Sequence, residues 1–234
     1  MLFCLILLTL LTFSASSQNR QEFWSKITIS KKINNKWNVG GDIQYRSQEN
    51  YKLANGKRFE NDLLQSIRFT VLHKISKRHQ IHLIFSPLVY FRSFELDSND
   101  NIIDQREYRW AVGKMQQHTW NRIVLRARLQ YEMRFLRIDS PNSLLQHRVR
   151  FQTQATLPIF KWKSGRAVNY IIFDEIFVAN QQKQMFLEQN RFYNALQVKL
   201  DFLELNVGLQ KSGQQVKKEW IKRNQWHVSI NVLL

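Results

Sequence analysis

Every second residue from Ile123 to Phe135 is apolar: Ile123, Leu125, Ala127, Leu129, Tyr131, Met133 and Phe135. The positions between them include Arg126, Arg128, Gln130, Glu132 and Arg134. A helix would scatter these two sets around its circumference, whereas a strand turns alternate side chains to opposite faces. The pattern therefore predicts a strand with one apolar and one charged face. It recurs along the chain. Trp37, Val39, Ile43 and Tyr45 alternate with Asn38, Asp42, Gln44 and Arg46, and Trp226, Val228, Ile230 and Val232 alternate with Gln225, His227, Ser229 and Asn231.

Segments of this kind lie near 22–31, 36–48, 59–73, 79–93, 106–117, 122–137, 143–157, 166–178, 189–200, 203–212 and 223–234. Short turns are expected near Asn34-Asn35, Ser76-Lys77, His118-Thr119 and Asp201-Phe202. Longer polar loops are expected near 49–58, 94–105, 179–188 and 213–222. Long strands joined alternately by short turns and longer loops are the sequence signature of a transmembrane barrel. The expectation is an all-β fold: an antiparallel up-and-down transmembrane β-barrel of about 12 strands, with 10 as the alternative, because bacterial single-chain barrels have even strand numbers. Pro87 removes a ladder hydrogen bond and predicts a bulge.

The first thirteen residues, Met1 to Phe13, are almost wholly apolar, and the first charge is Arg20. That run is shorter than the roughly 20 residues a membrane-spanning helix needs, and it suits a secretory signal. Ser14-Ala15-Ser16-Ser17 supplies the small residues for cleavage before Gln18. Residues 1–17 are read as the signal peptide and 18–234 as one barrel domain, exported to the cell outer membrane. A soluble exported β-barrel binding protein is the alternative, with the apolar face turned inward instead.

Composition narrows the chemistry. The 234 residues carry 35 Lys+Arg against 18 Asp+Glu, a formal charge of +17, and one cysteine, Cys4. A body without thiols has no disulfide, no thiolate zinc site and no cysteine nucleophile. The histidines show no ligand spacing and there is no glycine-rich phosphate loop, so no metal and no cofactor are expected. The charge is spread strand by strand rather than gathered in a patch, and export separates the chain from nucleic acid, so nucleic acid is not expected as a partner. The expected partners are the lipid bilayer and lipopolysaccharide, with small anionic solutes inside the barrel.

In a membrane barrel the polar face lines the lumen. It carries Arg46, Arg68, Arg92, Arg109, Arg126, Arg128, Arg134, Arg148, Arg150 and Arg191 against Asp42, Asp62, Glu107, Glu132, Glu175 and Glu204. Guanidinium forks match carboxylates bidentately and stay charged when partly desolvated. Arg46, Arg109, Arg126, Arg128, Glu132, Arg134, Arg148, Arg150, Glu175 and Arg191 are accordingly the candidate lumen-lining charge network. Its role is structural, or that of a narrow pore whose arginine surplus favours anions. No catalytic residue is assigned. The competing enzyme reading is an outer-membrane lipid hydrolase using His227 and Ser229, which share one strand face two residues apart. Trp37, Trp120, Trp162 and Trp220 fall near segment ends, where an interfacial girdle belongs.

Several local elements resemble a known family: Phe23-Trp24, Lys36-Trp37, Gln44-Tyr45-Arg46 and Glu107-Tyr108-Arg109, then the arginine-rich strand from Arg126 to Arg137, Arg148-Val149-Arg150, Asp174-Glu175-Ile176-Phe177, Gln189-Asn190-Arg191 and the last strand around His227. In this order they resemble domain of unknown function 2490, exported barrel-like proteins of Gram-negative bacteria. The resemblance spans nearly the whole mature chain. It implies an outer-membrane barrel without an established activity, so it adds location rather than chemistry.

Overall fold

A computed structural model of the chain describes residues 19–49, 59, 61–94, 102–138, 143–162, 164–181, 184–216 and 219–234. The expected signal, 1–17, and nearly all of the expected loop 49–58 lie outside the described residues. Eleven strands lie within them. They are β1 (Asn19–Lys32), β2 (Trp37–Gln48), β3 (Asn61–Lys74), β4 (His79–Phe94), β5 (Ile102–Trp120), β6 (Ile123–Ile138), β7 (Ser143–Lys161), β8 (Ala167–Gln181), β9 (Gln184–Lys199), β10 (Leu203–Val216) and β11 (Glu219–Leu233). Each pairs with its chain neighbour, and β1 meets β11 to close the barrel.

The closing pair is parallel, running from Asn19↔Lys222 to Ser30↔Leu233. The other ten pairings are antiparallel. Strand direction alternates along an up-and-down meander, so the first and last members of an odd set must run the same way. This corrects the expected strand count of twelve, or ten, to eleven. The five turns that join β1 to β2, β3 to β4, β5 to β6, β7 to β8 and β9 to β10 share one end of the barrel with the end of β11, and β1 begins at the other end.

Local side chains close the tight turns. The Asn34 Oδ1 accepts the backbone N–H groups of Lys36 and Trp37 at 2.8 and 2.9 Å. The Ser76 hydroxyl accepts those of Arg78 and His79, both at 3.2 Å. Short polar side chains of this kind replace the missing ladder bonds. The turn expected at His118-Thr119 lies instead at Asn121-Arg122, after Trp120↔Ile123. Asn121 takes a left-handed conformation there (φ 52°), which asparagine tolerates. Two expected long loops are strand. β8 and β9 stay paired to Gln181↔Gln184, and β10 and β11 to Val216↔Glu219. The inward face toward these ends is mixed, with Ala179 and Ile221 buried as well as Glu188, Gln189 and Ser212.

The two faces are inverted relative to a water-soluble barrel. Leu129 is 55 % exposed and Tyr131 40 %, while Gln130 and Glu132 between them are 2 % and 0 % exposed. Ile27, Ile43, Leu83, Trp110, Val207 and Trp226 also lie on the outer surface. The only cluster of buried apolar residues among the described ones is small, Ile171, Tyr193 and Ala195 with Phe173 against it.

Three register shifts change which side chains face inward. At Pro87, Ser86 pairs with Arg109 but Val89 pairs with Glu107, so two residues of β4 oppose one of β5. Beyond it Val89 is buried, and Arg92, expected in the lumen, is exposed and 3.4 Å from Asp104. Near Arg46 and Ser47 a shift against β3 turns Asp62 outward, where it accepts the Tyr45 hydroxyl at 2.5 Å. Asp62 is therefore not a lumen residue. In β9, Phe177 pairs with Gln189 and Val178 with Leu187, so Glu188 is the extra residue and is buried beside Gln189.

Candidate functional site

Strand alternation together with the β9 bulge converges ten charged side chains inside the barrel. Glu107 of β5 is bound by Arg109 and, at 2.8 Å, by Arg134. Arg134 reaches Glu188 at 2.8 Å, and Glu188 receives Arg148 at 3.0 Å. Arg148 bonds Glu132 at 2.5 Å, and Glu132 accepts Arg150 at 2.7 Å. Arg150 reaches Glu175 at 2.7 Å, which also accepts Arg128 at 2.8 Å and faces Arg191 at 3.8 Å. The result is one alternating chain through β5, β6, β7, β8 and β9. It has four carboxylates and six guanidiniums, with arginine at every terminus. Each glutamate sits between at least two guanidiniums, and the chain carries two positive charges more than it neutralises.

Neutral partners satisfy much of what remains. Gln146 accepts from Arg134 at 2.5 Å, Gln130 donates to Glu132 at 2.5 Å, and His82 bonds Gln130 at 3.0 Å. His82 leans across Gly113 to do so, and a Cβ at position 113 would collide with its ring and with the Leu129 carbonyl. The Phe177 ring is fully buried, with the guanidinium carbons of Arg148, Arg150 and Arg191 at 5.1, 4.7 and 4.5 Å from its centroid. Cation–π contact of this kind favours charge in a dry interior.

A second group sits where β1, β2 and β11 meet. Trp24 points inward with the Arg46 guanidinium 3.5 Å above its ring, and Arg191 lies 5.7 Å from the same centroid. Arg223 pairs with Glu22 at 3.3 Å, and Gln225 donates to Glu22. Nearby, Arg68 bonds Asp42 at 2.8 Å. The interior encloses a cavity of about 560 Å³ lined by eleven cationic side chains and four carboxylates.

The structure brings Arg109, Arg128, Glu132, Arg134, Arg148, Arg150, Glu175 and Arg191 into the alternating chain. Arg46 lines the same cavity but stands outside the chain, on Trp24. Arg126 lies toward the short-turn end, exposed, and donates to Gln117 at 3.0 Å. Sequence reasoning missed Glu188, Glu22, Arg223 and Trp24. Glu22 and Trp24 do carry a signal, since they alternate with Phe23 and Ile27. Glu188 carries none, because only the bulge turns it inward. Outside the barrel wall, in the β7–β8 turn, Arg166 donates to Asp201 at 2.9 Å, which holds its guanidinium above the ordinary arginine value.

His227 and Ser229 face the interior, but each has another partner. The His227 Nδ1 bonds the Tyr193 hydroxyl at 3.1 Å, and the Ser229 hydroxyl accepts from Asn206 at 3.0 Å. No hydrogen bond joins His227 to Ser229 among the described residues. Nor is any group of three or more His, Cys, Asp and Glu placed there to hold a metal ion.

With this geometry established, comparison with known proteins gives one match. The profile of the family described as Protein of unknown function (DUF2490) matches residues 21–221. The chain belongs to this family. The match runs from the start of β1 through β10 to the first residues of β11. No curated protein and no solved structure matches the chain.

Proposed function

We propose that this DUF2490 protein is an outer-membrane β-barrel of a Gram-negative cell, exported by a signal at 1–17 and built around a braced, narrow, basic lumen. The observation that carries this reading is the inversion of faces: aliphatic and aromatic side chains outside, ion pairs inside. Water would penalise so much exposed apolar surface, at about 25 cal/mol per Å². Acyl chains would not. Strands of 12 to 19 residues exceed the 9–11 that a tilted membrane crossing requires. Trp37, Trp120, Phe160, Trp162 and Phe202 are exposed at the short-turn end, where a headgroup collar would sit. The partners are then bilayer lipid and lipopolysaccharide.

Inside, the ionic chain ties five strands together beside a cavity of about 560 Å³. Whatever enters is small, and the positive surplus selects anions. The expected result is recovery in the outer-membrane fraction, solubilisation only with detergent, and a gel mobility that shifts on heating. Recovery from the aqueous fraction without detergent would overturn the reading.

A further inference from the structure

The charges of the alternating chain are nearly matched, but those beside Trp24 are not. Arg46 is 7 % exposed, yet no described carboxylate lies within ion-pair distance of it. It shares the Trp24 ring with another cation, Arg191, and the carboxylate that acts on it most strongly, Glu22, is already paired with Arg223. Arg191 has a single carboxylate, Glu175 at 3.8 Å, and Arg128 and Arg150 hold that group more closely. Lys26, two residues along β1 from Trp24 on the same face, also lines the cavity with no described ion-pair partner.

Two guanidiniums therefore converge on one ring, with contacts of 3.5 and 5.7 Å. Their mutual repulsion is only partly offset, by Glu22 near Arg46 and Glu175 near Arg191, and each of those carboxylates is already shared with other arginines. The unsatisfied atoms agree in kind. The Trp24 Nε1, Arg46 Nε and Arg191 Nε are buried donors without an acceptor among the described residues. Donors alone, in surplus and converging, define a site that an acceptor bearing negative charge completes. The cavity, at about 560 Å³, has the size of pockets that hold small organic ligands.

We propose that Arg46 and Arg191, with Lys26 beside them, form a binding station for a phosphoryl-bearing small solute inside the barrel. A phosphoryl group supplies up to two negative charges and several acceptor oxygens, enough to bridge both guanidinium forks at once. Chloride supplies one charge and no fork geometry, so the station discriminates between them. The inference deepens the basic-lumen half of the function proposed above and rests on it, but not on membrane placement. The phosphoryl group has two sources, a free phosphorylated solute or a lipid headgroup reaching into the barrel.

The test is calorimetric titration of the refolded full-length mature chain with inorganic phosphate, with chloride as the competing ion. The detergent is free of phosphate headgroups. Saturable phosphate binding is expected, and Arg46→Gln weakens it by about tenfold or more, the usual scale for losing a charge-assisted contact. Lys26→Gln weakens it less and serves as the second variant should Arg46→Gln fail to fold, with heat-modifiable mobility as the folding check. Arg166→Gln, in the outer turn, changes nothing and controls for net charge. Repeating the titration with glycerol phosphate, and then with micelles carrying a phosphatidate headgroup, separates the sources: tight binding of only the second places the ligand in the lipid. Absence of saturable phosphate binding, or equal affinity in wild type and Arg46→Gln, overturns the station. The two readings fail separately. A membrane-bound barrel that ignores phosphate sinks only the station, whereas a detergent-independent protein with Arg46-dependent binding sinks only the membrane.

Discussion

Glu132 shows how the interior holds together at the scale of one residue. Its carboxylate is fully buried, accepts from Arg148 and Arg150, and is 0 % exposed. Burying any one of these ions alone would be prohibitive, and together they neutralise one another. Removing the shared carboxylate leaves two guanidiniums facing each other in a low dielectric. Glu132→Ala is therefore expected to cost about 3–5 kcal/mol of stability, read as a lower urea midpoint for the loss of heat-modifiable mobility. By contrast, the Lys199–Glu204 pair, 3.6 Å apart with Lys199 half exposed, is expected to contribute under about 1 kcal/mol. A Glu204→Gln change with an effect as large as that of Glu132→Ala would refute the distinction between braced and solvated pairs.

At the scale of elements, the parallel seam between β1 and β11 is the feature that alternation does not announce. Neighbouring strands lie about 4.8 Å apart, within the span a disulfide tolerates. Ile27 and Ile230 are register partners across that seam, and the chain's one cysteine, Cys4, lies in the expected signal. Ile27→Cys with Ile230→Cys is expected to cross-link on mild oxidation, giving a faster, reductant-sensitive gel band. Ile29→Cys with Ile230→Cys, two residues out of register, is expected to cross-link poorly. The reverse order of efficiency would mean a different closure. The strands themselves were legible from period two, because an extended backbone sends successive side chains to opposite faces. The bulges were less so. Pro87 advertised one through its missing N–H, but nothing in the residues around Glu188 marks an extra position. Hence Glu188, which joins Arg134 to Arg148, was invisible in the sequence, and Arg92 was assigned to the wrong face.

For the whole molecule, the proposed membrane setting makes a prediction on the outer wall. Leu129 lies midway along β6 and points outward. Leu129→Arg is expected to cost about 2–4 kcal/mol if the wall contacts acyl chains near the bilayer midplane. It is expected to be nearly neutral if the wall contacts water, so refolding titrations in lipid vesicles decide between them. Sequence alone determined that the barrel wall is built of strands, which side chains share a face between bulges, and that arginine outnumbers acid on the polar one, because these depend only on backbone geometry and residue order. Tertiary structure decided how many strands close the ring, that its ends meet in parallel, and that Trp24 stands inside beneath Arg46. It also decided which arginines share which glutamates. Those outcomes depend on closure and register between strands distant in the chain, and a pattern read along one strand carries no information about its partner across the lumen.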